Sequence, residues 1–269
     1  MSYFGRVRER AERLDSWVCV GLDPVRERLP SLLRDHDDGM FRFLSDIVAA
    51  TSDVACCFKP NLAFYLAEGA DGVRSLERLR HVIPEEVPVI LDAKVGDIGT
   101  TAAAYARAAF EVWGFDALTV SPYVGDDAVL PLAAYADKGV YVVARTSNPG
   151  AARLQDHYAL WMKVVEAATD WNENANIGLV VGATRSHQLR AVRRASADLP
   201  FLVPGIGTQG GDLGAALQWG PTAAGDPPVI NASRSIIFAS QGPDYASAAR
   251  EAAMRLRDEI RTLRRGRPG

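Results

Sequence analysis

Acidic and basic side chains alternate at the end of one strand-like run. Asp92, Lys94 and Asp97 follow the apolar run that begins at Pro88. Residues two apart on a β-strand share a face, so Asp92 and Lys94 are predicted to touch where that strand ends. A carboxylate beside an ammonium group suits proton transfer and charge stabilisation. Two alternatives stay open: a structural ion pair that caps the strand, and a helix N-cap role for Asp97.

Two further charged residues follow other strand-like runs of the chain. Asp23 comes directly after one apolar run, and Lys59 ends the next. An opposite charge at ~4 Å contributes about 4 kcal/mol at an effective dielectric of 20, so alternating signs keep neighbouring groups ionised. We therefore predict that four side chains converge, and we call them the charged array: Asp23, Lys59, Asp92 and Lys94.

A glycine-rich segment and a basic segment near the C-terminus predict an anion site. Gly205, Gly207 and Gln209 lie in the first, and Ser233 and Arg234 in the second. Glycines let backbone N–H groups approach a phosphate, and an arginine can donate two parallel hydrogen bonds. A plain glycine turn with a surface arginine is the alternative. The glycines also match the dinucleotide pattern G-x-G-x-x-G, but that pattern opens a first βαβ unit, whereas this one follows the seventh strand.

Polar side chains also follow the fifth strand-like run. Ser147 and Pro149 lie in the segment Ser-Asn-Pro-Gly, whose hydroxyl and amide groups suit a polar heterocycle, although a simple turn explains the segment as well. The histidines fall in helix or loop contexts without metal-ligand spacing, so no metal site is predicted. They are His36, His81, His157 and His187.

Eight short apolar runs recur at intervals of about 30 residues, the length of one βα unit. Most lack alternation, as is typical of parallel strands covered on both faces. With helices predicted between them, for example over Thr101 to Trp113 and Asp244 to Leu263, the pattern favours one α/β domain over 1–269, a (β/α)8 TIM barrel. An open doubly wound sheet is the alternative. The runs are Trp17 to Leu22, Val54 to Lys59, Pro88 to Lys94, Ala117 to Ser121, Gly139 to Arg145, Ile177 to Val181, Phe201 to Val203 and Val229 to Ala232.

The overall composition excludes several classes of protein. Of the residues, 48% are hydrophobic and 23% charged, which is typical of a globular chain. The net charge of −3 gives no basic excess, so nucleic acid is not an expected partner, and the arginines after residue 260 suit the end of a helix. No run is long enough to span a membrane, and residues 1–14 lack a secretory signal. Three cysteines without metal spacing indicate a reducing, cytoplasmic compartment: Cys19, Cys56 and Cys57.

The motifs, taken in order, resemble the orotidine 5′-monophosphate decarboxylase family, and its longer bacterial branch most. The resemblance runs from the first strand to the eighth and implies a TIM barrel that converts orotidine 5′-monophosphate to uridine 5′-monophosphate in pyrimidine biosynthesis, without a cofactor or metal. The motifs that carry it are Leu22-Asp23-Pro24, Phe58-Lys59-Pro60, Asp92-x-Lys94-x-x-Asp97-Ile98, Ser147-Asn148-Pro149-Gly150, the Gly205 loop and Asn231-Ala232-Ser233-Arg234.

The same resemblance implies a role for each member of the charged array. Lys94 would protonate C6 of the pyrimidine as carbon dioxide leaves, and Asp92 would face the substrate carboxylate. Lys59 would hold Asp92 and the ribose, and Asp23 would bind ribose hydroxyls. The family is dimeric, so Asp97 and Thr101 would reach the partner's active site.

Contacts to the two ends of the nucleotide follow in the same way. Ser147 would read the pyrimidine edge beside Pro149, whereas the phosphate would be held by Gly205, Gly207, Gln209, Ser233 and Arg234. Two features depart from the longer branch: Val95 replaces an expected basic residue, and the segment from Pro221 to Pro228 lengthens the stretch before Arg234. Two rival functions remain: a metal-dependent sugar-phosphate decarboxylase or aldolase of the same superfamily, and a non-catalytic nucleotide-binding barrel.

Overall fold

Eight parallel strands alternate with helices around a sheet that almost closes on itself. The computed structural model describes residues 1–183, 186–206 and 211–266. Neighbouring strands pair in the order β2-β1-β8-β7-β6-β5-β4-β3, and backbone bridges between Phe58 and Val89 and between Asn61 and Asp92 join β2 to β3. The predicted TIM barrel is confirmed. Its strands are β1 Val18–Gly21, β2 Cys57–Lys59, β3 Ile90–Val95, β4 Ala117–Val120, β5 Gly139–Arg145, β6 Ile177–Val181, β7 Phe201–Val203 and β8 Val229–Ala232.

The helices surround the barrel, and several reproduce the predicted spans. The helix predicted over residues 101–113 is α6 followed by one turn of π-helix at Ala108–Val112, and Gly114 ends it with φ +69°. The last helix matches the span predicted from residue 244 to residue 263. The helices are α1 Tyr3–Leu14, α2 Ser31–Arg34, α3 Gly39–Thr51, α4 Leu62–Leu66, α5 Gly69–Val82, α6 Gly99–Arg107, α7 Asp126–Ala133, α8 Ala151–Leu154, α9 Leu160–Asp170, α10 Ser186–Ala195, α11 Leu213–Trp219, α12 Arg234–Ile237 and α13 Tyr245–Arg265.

Helix α1 covers the end of the barrel where the strands begin. Tyr3 is fully enclosed there, with its ring edge-on to Tyr141 at 5.9 Å and the two hydroxyls 3.4 Å apart. A Cβ atom on Gly139 would lie 2.2 Å from the Tyr3 ring, so only glycine fits at the start of β5. The cavity that the charged array lines is at the opposite end, where the strands terminate.

The segment from Pro221 to Pro228, which was expected to be longer than in the bacterial branch, lies at the covered end. Residues 221–228 connect α11 to β8, and Asp226 pairs with Arg8 of α1 at 3.1 Å. A connection from a helix to the next strand runs along the N-terminal face of a barrel, opposite the catalytic face. This segment therefore does not enter the predicted phosphate site.

The arginine-rich C-terminus packs on the chain itself. Arg261 donates to the backbone carbonyls of Leu14 and Asp15, and Arg264 pairs with the Asp15 carboxylate at 2.9 Å. The Arg264 guanidinium also lies 4.1 Å from the centre of the Trp17 ring. These contacts fasten α13 beside the first strand. Among the described residues, no helix is both long and apolar enough to cross a bilayer.

Candidate active site

A cavity of about 440 Å³ opens at the C-terminal ends of the strands, and the charged array lies on one side of it. Asp23, Lys59, Asp92 and Lys94 all line this cavity, as the sequence predicted. Side chains from β6 and β7 form an apolar wall with Ile206 and Phe64, so a ligand there meets both charged and apolar surface. The wall residues contributed by those strands are Val180 and Leu202.

Asp92 is the centre of the charged array, because four donors bind its two oxygens. Oδ2 accepts from Lys59 Nζ at 2.8 Å and from Asn61 Nδ2 at 3.4 Å. Oδ1 accepts from Lys94 Nζ at 2.6 Å and from the Thr119 hydroxyl at 2.9 Å. A carboxylate offers about four acceptor positions, so this one is saturated and its orientation is fixed.

The charges of the array keep its two buried members, Asp92 and Lys59, ionised. Burial alone would raise the pKa of the Asp92 carboxyl, but the ammonium groups of Lys59 and Lys94 lower that pKa well below its ordinary value. Burial alone would lower the pKa of the Lys59 ammonium, and the carboxylates of Asp23 and Asp92 outweigh it and raise that pKa. The array therefore presents fixed positive and negative charges at neutral pH.

Lys94 combines an exposed ammonium with an unusual backbone. Both lysines line the cavity, but the Lys94 side chain is 42% exposed and that of Lys59 only 4%, so Lys94 is the more accessible of the two. Its φ of 46° lies in the left-handed region, which costs a residue with a side chain of order 1–3 kcal/mol and is often found at functional sites. Asp92 and Lys94 are in contact as predicted, although the strand between them is irregular rather than extended.

Asp23 lies on the neighbouring strand end and is held by the backbone. Its Oδ1 accepts from the N–H of Asn61 at 3.1 Å, and only 9% of the residue is exposed. Beside it, Asn231 and Ser233 line the next wall of the cavity. A Cβ atom on Gly21 would lie 1.8 Å from the Ser233 hydroxyl oxygen, so glycine at the end of β1 makes room for that loop.

The loop after β5 brings Ser147 to the cavity with Thr146 and Asn148. An ion pair supports this loop, since the buried Arg145 binds both oxygens of the partly exposed Asp156 at 2.8 and 3.1 Å. Such planar two-bond pairing fixes direction as well as distance. The N–H of Thr146 donates to the Gln155 side chain at 2.9 Å. The segment that was also consistent with a simple turn is thus an anchored wall of the cavity.

The predicted phosphate side is described in part. Gly205, Ser233 and Arg234 line the cavity at the ends of β7 and β8. Gly205 has φ +95°, a conformation that favours glycine, and its carbonyl accepts from the Gly211 N–H at 3.1 Å. The predicted ligands Gly207 and Gln209 lie outside the described residues.

Three predicted site residues lie away from the others. Within the described part of this chain, the cavity lining does not include Asp97, Thr101 or Pro149. Asp97 accepts from the adjacent N–H of Ile98 at 2.7 Å, and the N-cap of α6 is Ile98, so the N-cap interpretation of Asp97 is wrong. Asp97 and Thr101 instead lie along the exposed edge where α6 begins.

Sequence reasoning missed several residues that complete the site. Asn61 contacts both Asp23 and Asp92, and Thr119 binds the Asp92 carboxylate from β4. A signal for Thr119 existed, because it is a polar residue inside a four-residue buried strand whose other members are apolar. For Asn61, the only signal in the sequence was its position directly after Lys59 and Pro60, at the end of a strand. Among residues 1–183, 186–206 and 211–266, no group of three His, Cys, Asp or Glu side chains forms a potential metal site.

Comparison with known proteins gives a consistent result over nearly the whole chain. A family model described as "Orotidine 5'-phosphate decarboxylase / HUMPS family" matches residues 16–252. A curated Thermomicrobium roseum protein named orotidine 5'-phosphate decarboxylase is 47% identical over 272 residues, which cover 98% of this chain and 97% of that protein. These similarities confirm the family predicted from the motifs.

Solved structures agree with this assignment. Leishmania donovani OMP decarboxylase superposes with a TM-score of 0.86 at 38% identity, covering 99% of this chain and 100% of that one. Leishmania donovani UMP synthase superposes with a TM-score of 0.88 at 39% identity, covering 100% of this chain, which spans 58% of that longer protein. The similarity therefore covers the whole of one solved chain and 58% of a longer one.

Proposed function

Because the chain belongs to the orotidine 5'-phosphate decarboxylase family, we propose that it converts orotidine 5′-monophosphate to uridine 5′-monophosphate, with Lys94 as the acid. The bond between C6 and the carboxylate carbon breaks, carbon dioxide leaves, and the electron pair stays on C6. The Lys94 ammonium gives its proton to that carbon. One observation carries this assignment: Lys94 extends an ammonium into the cavity while Asp92 fixes its position at 2.6 Å.

The charge that develops on C6 explains why a fixed ammonium accelerates the reaction. Negative charge at C6 appears only as the C–C bond breaks, so a positive group aimed there stabilises the transition state more than the bound substrate. Asp92 facing the substrate carboxylate adds repulsion in the ground state, an effect of a few kcal/mol at most and of contested importance. Stabilisation by Lys94 is therefore the larger contribution.

The rest of the cavity suits the two ends of the nucleotide. Asp23 and Lys59 lie where ribose hydroxyls would be bound, and Ser147 lines the same cavity from the β5 loop, where a pyrimidine edge would be read. At the ends of β7 and β8, Arg234 and the Gly205 backbone provide donors for the phosphate. Binding energy from the remote phosphate would appear as rate, because it fixes the pyrimidine against Lys94.

Loss of the orotidylate ultraviolet absorbance on adding the purified protein tests the activity directly. We expect Lys94→Ala to lower kcat at least about 10³-fold, because a positioned acid and an electrostatic stabiliser are removed together. The variant should still bind uridine 5′-monophosphate in calorimetry. Lys163→Ala removes an exposed lysine of α9 and is the matched control. Retained turnover in Lys94→Ala would remove Lys94 as the acid.

Two further arms of the same assay address the rival functions. We expect full turnover in excess chelator, since the proposed reaction needs neither a metal nor an organic cofactor; loss of activity would support the metal-dependent sugar-phosphate reaction. No change in absorbance at any protein concentration, together with nucleotide binding, would support a non-catalytic barrel.

We further propose a homodimer in which Asp97 and Thr101 complete the partner's site. Both lie on an edge that is rich in exposed apolar side chains: Ile98 is 56% exposed, Tyr105 42% and Tyr123 77%. Exposed apolar side chains of this size are common at interfaces between proteins. Pairing two copies across this edge would bury it and bring the acidic Asp97 to the mouth of the partner's cavity.

Mixing two inactive variants tests the shared site. Lys94→Ala and Asp97→Ala each disable both sites of their own dimer, whereas a mixed dimer has one site without either substitution. Random exchange between two-fold dimers should restore about a quarter of the wild-type activity. No recovery, although sedimentation or light scattering reports mixed dimers, would mean that Asp97 serves its own chain; a monomer in solution would remove the dimer.

We also propose a cytoplasmic location. The described cysteines, Cys19, Cys56 and Cys57, are free and buried, which fits a reducing compartment and a reaction of nucleotide metabolism. Fractionation of cells that express a tagged protein tests this location, and recovery outside the cytoplasmic fraction would contradict it.

A further inference from the structure

Thr119 of β4 lies beneath the charged array, where its hydroxyl makes two hydrogen bonds at once. Thr119 is 0% exposed. Its Oγ1 donates to Asp92 Oδ1 at 2.9 Å and accepts from the backbone N–H of Lys94 at 2.9 Å. One side chain thus binds both the carboxylate that holds the Lys94 ammonium and the main chain from which Lys94 extends.

The backbone of Lys94 needs such support because it leaves the regular strand. Leu91 pairs with Leu118 and Val95 pairs with Val120, so three residues of β3, 92–94, lie opposite the single residue Thr119. Lys94 adopts the left-handed conformation inside this bulge, and its N–H points to the Thr119 side chain rather than to a carbonyl of β4. Bulges next to active sites re-aim side chains, and this one turns Lys94 toward the cavity.

We infer that Thr119 is a positioning residue: its hydroxyl fixes the bulge and thereby aims the Lys94 ammonium at the reacting carbon. Thr119 Oγ1, Asp92 Oδ1 and Lys94 form a closed set of contacts, in which Lys94 is held at its main chain by the first and at its ammonium by the second. The inference rests on the proposed role of Lys94 as the acid.

Threonine suits this place because it combines a hydroxyl with a stiff, branched side chain. In strands, branching at Cβ restricts χ1 and holds the hydroxyl in one direction. Valine has nearly the same shape but can neither donate to Asp92 nor accept from the Lys94 N–H, so it leaves two buried polar groups without this partner. Serine keeps both hydrogen bonds and loses only the methyl group.

The pair Thr119→Val and Thr119→Ser tests the inference. We expect Thr119→Val to lower kcat about 10- to 100-fold, since a displacement of the order of 1 Å in a reacting group can reduce a rate by 10²-fold. The KM and the Kd for uridine 5′-monophosphate should change less than about threefold, because nucleotide contacts lie elsewhere in the cavity. Thr119→Ser should keep kcat within a few-fold of wild type. Rates are expressed per nucleotide-binding site, so that unfolded protein does not count as lost turnover.

The outcomes separate this inference from the proposed function. Unchanged kcat in Thr119→Val, with Lys94→Ala inactive, would overturn the role of Thr119 and leave Lys94 as the acid. Equal losses in the Val and Ser variants would also overturn it, because a variant that keeps both hydrogen bonds would then be as impaired as one that keeps neither. If Thr119→Val does not fold, Thr119→Ala against Thr119→Ser compares the presence of the hydroxyl in the same way. Turnover in Lys94→Ala would instead contradict the proposed function itself.

Discussion

The barrel holds an aspartate between two cations at each of its ends, and the two clusters differ in what they leave accessible. At the covered end, Asp116 is 2.7 Å from Arg6 and 3.6 Å from Arg80, and it also accepts from the Val89 N–H at 2.9 Å. Both arginines donate to backbone carbonyls as well, Arg6 to Glu85 and Arg80 to Gly114. Every one of these contacts joins one part of the chain to another.

At the open end, Asp92 also lies between two cations, as Asp116 does, but the geometry is different. Lys59 is buried beside Asp92, whereas Lys94 reaches past it into the cavity. A lysine carries a compact charge with three donors on a flexible stem, and an arginine has a planar fork that suits fixed pairing. Arg6, Arg80 and Asp116 also border an open surface pocket, so neither alternating charges nor a nearby pocket distinguishes a functional cluster from a structural one. The clusters differ in their cations: both arginines are tied to backbone carbonyls, whereas the Lys94 ammonium extends past Asp92 at the mouth of the barrel.

The largest effects are expected from the same substitution made at both ends. Asp92→Asn should lower kcat about 10²- to 10³-fold, because the carboxylate that fixes Lys94 loses its charge. Asp116→Asn should leave kcat per nucleotide-binding site within about twofold, and should lower the free energy of unfolding by about 2–4 kcal/mol, as expected when a buried ion pair is broken. Turnover of orotidylate and urea unfolding measure the two quantities. If kcat falls in both variants while equal fractions of the two proteins are folded, the Asp116 cluster is not purely structural and the proposed difference between the clusters is wrong.

Much of the fold and of the charged array was predictable from the sequence, for a physical reason. Parallel strands buried on both faces give continuous apolar runs, and a polar residue at the end of such a run has few places to lie except the mouth of the barrel. Asp23, Lys59, Asp92 and Lys94 therefore meet as predicted. The cluster around Asp116 was not predicted, because Arg6, Arg80 and Asp116 come from distant segments without a shared sequence pattern.

Other parts of the site depend on information that local patterns do not contain. Thr119 lies opposite Lys94 only because β3 bulges there. The spacing of Asp92 and Lys94 predicts a regular strand and gives no sign that the Lys94 backbone is left-handed. Asp97 follows the same motif closely but lies outside the cavity lining of its own chain. The role proposed for Asp97 requires a second copy of the chain, and one sequence without its partner does not reveal such an interface.

Within the open end, we expect substitutions at the phosphate site to affect only substrates that carry a phosphate. Arg234→Ala is expected to lower kcat/KM for orotidine 5′-monophosphate about 10- to 100-fold, since a charged hydrogen bond contributes about 1.5–3 kcal/mol. The effect on decarboxylation of the nucleoside orotidine, which lacks the phosphate, should be less than about threefold. Comparing the two substrates with the same enzyme preparation gives the measurement. Equal losses on both would assign Arg234 to the chemistry instead of to phosphate binding.

The charged state of Asp92 should appear in the pH dependence of stability. The folded-state pKa of Asp92 lies below its value in the unfolded chain, so its stabilisation is fully present above the unfolded pKa of about 3.9 and is lost as pH falls toward the folded pKa. The free energy of unfolding of wild type should exceed that of Asp92→Asn by about 2 kcal/mol at pH 7, and the gap should narrow below about pH 4. Urea unfolding at a series of pH values measures it. A gap that stays constant down to pH 3 would show that the ion pairs contribute no net stability.

The smallest effect is expected where the covered end meets the C-terminus. Arg264→Ala removes the contacts to Asp15 and Trp17 and should lower the free energy of unfolding by about 0.5–1 kcal/mol, since the pair is partly exposed and screened. Turnover should not change, because these residues lie at the end of the barrel opposite the cavity. Arg255→Ala removes another exposed arginine of α13 and is the matched control. It should change neither the free energy of unfolding nor the turnover. Unfolding that is identical in both variants, together with salt-dependent binding of nucleic acid that only Arg264→Ala weakens, would assign the arginines to a partner rather than to the fold.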